Sequence, residues 1–131
     1  MKSKFALVEI AKLRIHEEIE EDRVRALAEA IARDGLVERA IIADRATLVV
    51  IDGHHRHAAL TRLGCLRAPV VLVDYMDPAI VVENWRAGEP APTKEEVLER
   101  AARGKPFPPK TTRHPGLYDL TEVRVPLADL R

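Results

Sequence analysis

One stretch, Leu48 to Gly64, constrains the fold more than any other. Leu48-Val49-Val50-Ile51 is four aliphatic residues, three of them β-branched, and predicts a buried strand. Asp52-Gly53 follows as a tight turn, where glycine lets a ligand approach the backbone closely. Ala58, Ala59, Leu60 and Leu63 then form the inward face of a helix, with Gly64 at its C-terminal cap. Between turn and apolar face stand His54, His55 and Arg56. A strand, a glycine turn and a cation-rich helix N-terminus make a form of anion site, because free N–H groups and the helix dipole both favour phosphate there. Arg56 adds a bidentate grip, and the two imidazoles add donors. The plainer alternative is a strand–turn–helix with a polar first turn. Asp52, Gly53, His54, His55 and Arg56 together weigh toward phosphate.

At 131 residues the chain is long enough to bury a core without disulfides or metals, and it is read as a single domain over 1–131. The 21 basic and 21 acidic residues cancel, which leaves no overall pull toward nucleic acid or membrane. Cys65 is the one cysteine, which excludes an internal disulfide and suits a reducing, cytoplasmic setting. No apolar run is long enough to span a bilayer.

Phe5 to Ile10 reads as a first strand. The acids of Glu17-Glu18-Ile19-Glu20-Glu21-Asp22 read as a solvated loop or a first helical turn, with Asp22 as N-cap. Val24, Leu27, Ala28 and Ile31 recur at helical spacing up to Gly35. Ala40 to Ala43 is a strand joined by a short turn to the central one, which predicts an antiparallel hairpin. Ala68 to Tyr75 is another buried strand, and Ile80 to Trp85 fits strand or helix equally. Residues 86–92, with Gly88, Pro90 and Pro92, read as a linker. Thr93-Lys94-Glu95-Glu96 is a capping box opening a helix to Gly104. Pro106, Pro108 and Pro109 stiffen the approach to Lys110-Thr111-Thr112-Arg113-His114, a cluster of donors suited to phosphate or carboxylate. Val123 to Leu127 is extended.

Three polar groups need one explanation: the acids from Glu17, the Asp52–Arg56 turn, and Lys110 to His114. No Cys or His pair has zinc-site spacing. Asp52 is a candidate magnesium ligand, or equally a plain turn residue. His57 is placed on the exposed helix face. The plainer readings are that His16 orients its neighbour and that Trp85 packs at a rim.

Asp52-Gly53-His54-His55-Arg56 with its flanking strand and helix resembles the phosphate-binding box of the ParB/sulfiredoxin-like superfamily, and Arg33-Asp34-Gly35-Leu36 fits the same pattern. The His-His form is similar to the archaeal free L-serine kinases, which make O-phosphoserine for cysteine biosynthesis. His16-Glu17 before the first helix, Ala91-Pro92-Thr93-Lys94-Glu95-Glu96-Val97, and Pro109-Lys110-Thr111-Thr112-Arg113-His114 resemble further segments of that branch. The region between Asp74-Tyr75 and Ala91-Pro92 is shorter here than in the long archaeal forms. The resemblance implies a compact α/β (α+β) domain with a small mixed sheet and short helices. It implies Glu17 as the base, its pKa raised by crowding from Glu18, Glu20 and Glu21. It implies Asp52 as magnesium ligand and Gly53, His54, His55 and Arg56 as the phosphate cradle. Trp85, Lys110, Thr111, Thr112, Arg113 and His114 would hold substrate or its phosphate. ADP or ATP would be the donor, free L-serine the acceptor, and the protein a monomer or small homo-oligomer. The rival readings are a ParB-like nucleotide-binding module, which would want a DNA-binding region, and a nuclease, for which Asp52 and Glu17 offer few carboxylates.

Overall fold

The computed structural model describes residues 1–131. Its centre is a four-stranded mixed sheet. Strand β1 (Ser3–Glu9) runs antiparallel to β5 (Arg67–Val73), with Ser3 opposite Val73 and Glu9 opposite Arg67. Strand β5 runs parallel to β3 (Ile41–Asp44), and β3 pairs antiparallel with β4 (Val50–Asp52), giving the order β1-β5-β3-β4. All four residues of β3 are buried, as expected of a central strand covered on both faces.

Alternation along β3 divides the core. Ile41 and Ala43 face a cluster that takes in Val24 and Ile31 of α1 (Glu21–Asp34) and Ala59 and Leu60 of α2 (His54–Arg62). Ile42 faces the opposite cluster with Val71, Tyr75, Phe107, and Val97 and Ala101 of α3 (Lys94–Arg103). The sheet is therefore a middle layer, with α1 and α2 on one side and α3 with the C-terminal loops on the other. A separate ribbon pairs β2 (Leu36–Arg39) with β6 (Glu122–Pro126), and buries Val37 completely.

The hairpin, the capping box at Thr93 and Glu96, and the ends of α1 at Gly35 and α3 at Gly104 follow the sequence reading, whereas α2 is capped by Leu63 with Gly64 one residue beyond. Several details differ. The central strand starts at Val50 rather than Leu48, because Leu48 closes the preceding turn with φ of 59°. Helix α1 begins at Glu21 with Glu20 as its extended N-cap, and Asp22 instead pairs with Arg25 at 2.8 Å. Leu36 to Arg39, too short and charged to register as a strand, becomes one through β6. The 80–85 segment is neither helix nor regular strand; only Glu83 pairs, with Arg113. Cys65 is buried, and burial raises its thiol pKa, which leaves an inert side chain.

Candidate active site

Strand β4 ends at Asp52, and Gly53 starts α2 from a left-handed φ of 103°. The N–H of His57 is bonded to the carbonyl of Gly53, so the amides of His54, His55 and Arg56 precede the first intrahelical bond. These amides and the helix dipole form the expected anion-attracting end. The side chains do something else. His54 is buried, and its Nε2 accepts the backbone N–H of His16 at 3.2 Å. His55 Nε2 accepts the N–H of Glu20 at 3.0 Å. The two imidazoles, expected to donate to phosphate, instead use these nitrogens as acceptors and clasp the loop between β1 and α1. His57 is half-buried rather than exposed, and burial lowers its pKa. Arg56 Nη1 donates to the carbonyl of Arg39 at 3.2 Å, while its buried Nε has no partner.

The clasped loop carries Glu17. Within a run of acids expected to be solvated, Glu17 turns inward and is 8% exposed, while Glu18 faces solvent. Backbone bonds fix it from the far end of the chain: Phe107 N–H donates to His16 carbonyl at 2.7 Å, and Glu18 N–H to Phe107 carbonyl at 2.8 Å. Glu17 Oε1 then accepts from the N–H of Thr111 at 3.1 Å, the N–H of Thr112 at 2.8 Å, and lies 3.0 Å from the Thr112 hydroxyl. Lys110, a non-glycine residue at φ of 60°, turns the chain so that both following amides converge on one oxygen. Burial raises the Glu17 pKa above the ordinary carboxylate range, against the opposing pull of these donors. The neighbouring acids are not the cause, which corrects the sequence expectation.

His16 lies beneath Glu17 and is fully buried. Its Nδ1 is 2.7 Å from the Val50 carbonyl and its Nε2 3.0 Å from Thr112 Oγ1. His114 is buried as well, with Nε2 held 2.9 Å from the Tyr75 hydroxyl. Burial lowers the pKa of His16 to about 4 and of His114 to about 3, so both rings are neutral. Tyr75 escaped notice as the end of an apolar strand; a buried tyrosine hydroxyl needs a partner, which was the available signal.

The loop after β5 reaches the same cluster. Glu83 and Arg113 exchange two backbone hydrogen bonds at 2.8 Å each, and their side chains pair at 3.5 Å. The Arg113 guanidinium sits 5.3 Å from the centre of the exposed Trp85 ring. Lys110 Nζ lies 3.9 Å from Glu20. The structure thus draws Glu17, Trp85 and residues 110–114 together beside the loop that His54 and His55 clasp. Between that loop and α2 lies a cleft of ≈ 540 Å³ whose walls include Ile15, Ile19, His57 and Ala58.

Asp52 is exposed at the mouth of the α2 end; crowding by surrounding protein raises its pKa, while the Gly53 N–H and Arg56 charge lower it. No three carboxylate, imidazole or thiolate groups converge as a cage. One accessible carboxylate fits a magnesium ion whose other ligands are phosphate oxygens and water, and does not fit an all-protein metal site.

No protein-family model matches this chain. It is 36% identical over 83 residues to the ATP-dependent L-serine kinase of Staphylothermus marinus, a match covering 60% of this chain and 33% of that protein. It is 28% identical over 85 residues to the ADP-dependent L-serine kinase SerK of Thermococcus kodakarensis, covering 62% and 35%. The chain therefore spans about a third of the length of these curated relatives. A solved structure of free serine kinase in complex with AMP superposes with a TM-score of 0.90, covering 100% of this chain and 95% of that one at 19% identity. The fold is that of free serine kinase. The α+β architecture expected from the resemblance is thereby shown, and archaeal L-serine kinases are its sequence relatives. No helix of this chain is long and apolar enough to cross a membrane.

Proposed function

We propose that this chain transfers the terminal phosphoryl group of ATP or ADP to the hydroxyl of free L-serine, giving O-phospho-L-serine. The observation that carries the reading is Glu17: a buried carboxylate with one oxygen fixed by three donors, a raised pKa, and a place beside a phosphate-attracting helix end. In support, L-serine kinase is the name of the sequence relatives quoted above, and an adenine nucleotide, AMP, is bound in the structural one.

The chemistry requires a hydroxyl nucleophile in line with the phosphorus, a proton acceptor and charge stabilisation. The serine Oγ forms the new bond to phosphorus as the bond to the bridging oxygen breaks, and the leaving oxygen stays on the nucleotide. The hydroxyl proton goes to Glu17. With Oε1 taken up by Thr111 and Thr112, Oε2 is the oxygen left for the substrate. A raised pKa makes this carboxylate a better base than a surface glutamate. The amides of His54, His55 and Arg56 hold the phosphates, and Arg56, with its orphan Nε, brings a guanidinium to the same helix turn. The cleft beside His57 suits the flat, partly apolar nucleoside. Trp85, Lys110, Arg113 and the 111–112 backbone border the acceptor. Asp52 would hold magnesium, which supplies positive charge to the phosphate oxygens.

The test is phosphorus NMR of the protein with magnesium and free L-serine, with ATP and ADP in separate samples. A phosphoserine resonance in either sample is the expected result. Saturable nucleotide binding with no phosphoserine would overturn the reading in favour of a ParB-like nucleotide-binding module.

A further inference from the structure

His16 has no role in the scheme above, yet it is fully buried and fully engaged within the site. The carbonyl of Val50, 2.7 Å from Nδ1, can only accept, so Nδ1 carries the ring proton and Nε2 presents a lone pair. The Thr112 hydroxyl lies 3.0 Å from this lone pair and 3.0 Å from Glu17 Oε1. It has one hydrogen and two acceptors.

From this geometry we infer that His16 is a positioning residue that sets the basicity of Glu17 through the hydroxyl of Thr112. While Glu17 is charged, the hydroxyl donates to the carboxylate, the stronger acceptor. Once Glu17 has taken a proton it is a poorer acceptor, and the hydroxyl turns to His16 Nε2. The protonated state therefore keeps a hydrogen bond that it would otherwise lose, and Glu17 holds its proton more tightly. Two backbone amides on Oε1 pull the other way, so the imidazole offsets a cradle that alone would make Glu17 too weak a base.

From α2, the neutral His54 ring meets His16 edge-on with centroids 4.4 Å apart. From the C-terminal segment, His114 stands 6.5 Å from His16, and the Lys110 N–H adds to the donors that lower the Glu17 pKa. From their own loop come Glu18 and Glu20, and Phe107 packs 6.5 Å from His16 without charge. Burial keeps Nε2 unprotonated down to about pH 4, where it remains an acceptor. None of these neighbours supplies the hydroxyl with a competing acceptor.

The role of Glu17 as base rests on the proposed kinase reading; the three-atom coupling does not. The experiment is carbon-13 NMR titration of the Glu17 carboxyl in the full chain without substrate. His16→Asn keeps a donor toward Val50 and removes the Nε2 acceptor. It should lower the Glu17 pKa by about half a pH unit, about threefold in proton affinity. Thr112→Val removes the hydroxyl that favours the charged form and should raise it. In the Thr112→Val background, His16→Asn should have no further effect. An unchanged pKa in His16→Asn, or a shift that persists without the Thr112 hydroxyl, overturns the inference. Should the variants not fold, nitrogen-15 NMR of the wild-type protein decides: the His16 Nε2 resonance must move in step with Glu17, and a resonance that ignores Glu17 overturns it. The acid limb of phosphoserine formation should move as the Glu17 pKa does. Absence of phosphoserine from wild-type protein would count against the kinase reading alone.

Discussion

Gly53→Ala tests whether the helix end proposed to hold phosphate depends on a residue with no side chain. At φ of 103° an L-residue is strained by about 1–3 kcal/mol. A Cβ there would also stand 3.3 Å from Ile41 Cα and 3.3 Å from Ile41 Cγ1. Ile41 lies in β3, buried on both faces, so its backbone has little room to yield, and overpacking adds about 1 kcal/mol. The smaller entropy of an unfolded chain carrying alanine returns about 0.4–1 kcal/mol. The net loss is about 1–3.6 kcal/mol, centred near 2, or roughly 3–12 °C in Tm for a domain of this size. Gly64→Ala is the matched control, with φ of 75° and nothing within 4 Å of the added carbon. It should cost about 1 kcal/mol from conformation alone. Thermal and urea unfolding followed by circular dichroism measure both, and nucleotide titration should show weaker binding only for Gly53→Ala. A Gly53→Ala loss no greater than that of Gly64→Ala would refute the close approach between the turn and β3.

Four other outcomes are expected. Glu17→Gln should abolish phosphoserine formation while nucleotide affinity stays within about tenfold, about 1.4 kcal/mol; a larger loss would assign Glu17 to binding. The same variant should melt above wild type at pH 8 and together with it near pH 4. A carboxylate whose folded pKa is raised loses stability as pH climbs from its unfolded pKa through its folded one and carries the full cost above that, and melting temperatures across pH check the sign. The buried imidazoles act oppositely: the lowered pKa values of His16, His54 and His114 give stability that is present above about pH 6.5 and lost on acidification. Three protons taken up on unfolding give a slope of about 4 kcal/mol per pH unit, reduced by the raised carboxyls of Glu17 and Asp52. Urea titrations that gave a flat line between pH 6.5 and 5 would refute it. Arg56→Ala should weaken nucleotide binding, measured by calorimetry; unchanged affinity would remove Arg56 from the phosphate cradle.

The sheet, the hairpin and the three helices were legible in the sequence because aliphatic periodicity and capping residues are local signals. The strand–glycine–helix turn was legible for the same reason: its three parts follow one another within a few residues. The orientation of His54 and His55 was not. A sequence gives the inventory of donors and acceptors, and an imidazole can be either; only the approach of the His16 and Glu20 amides decides it. Likewise the run of acids gave no sign that Glu17 alone turns inward, because what draws it in is the backbone of Thr111 and Thr112. Leu36 to Arg39 was missed through the same cause, since its partner is β6 at the far end of the chain.

The grip of Thr112 on Glu17 joins residues 95 positions apart. Closing a loop of that length costs about 4 kcal/mol of chain entropy, which local contacts cannot offset early in folding. Helices α1 and α2 can form and dock while Glu17 is still an ordinary carboxylate, hydrated and acidic. Its altered basicity arises only when the segment beyond α3 returns to the loop before α1. With Glu17 as the proposed base, chemical competence would be a late event of folding: a partly folded chain that already has the α2 N-terminus would still lack the grip of Thr111 and Thr112 on Glu17.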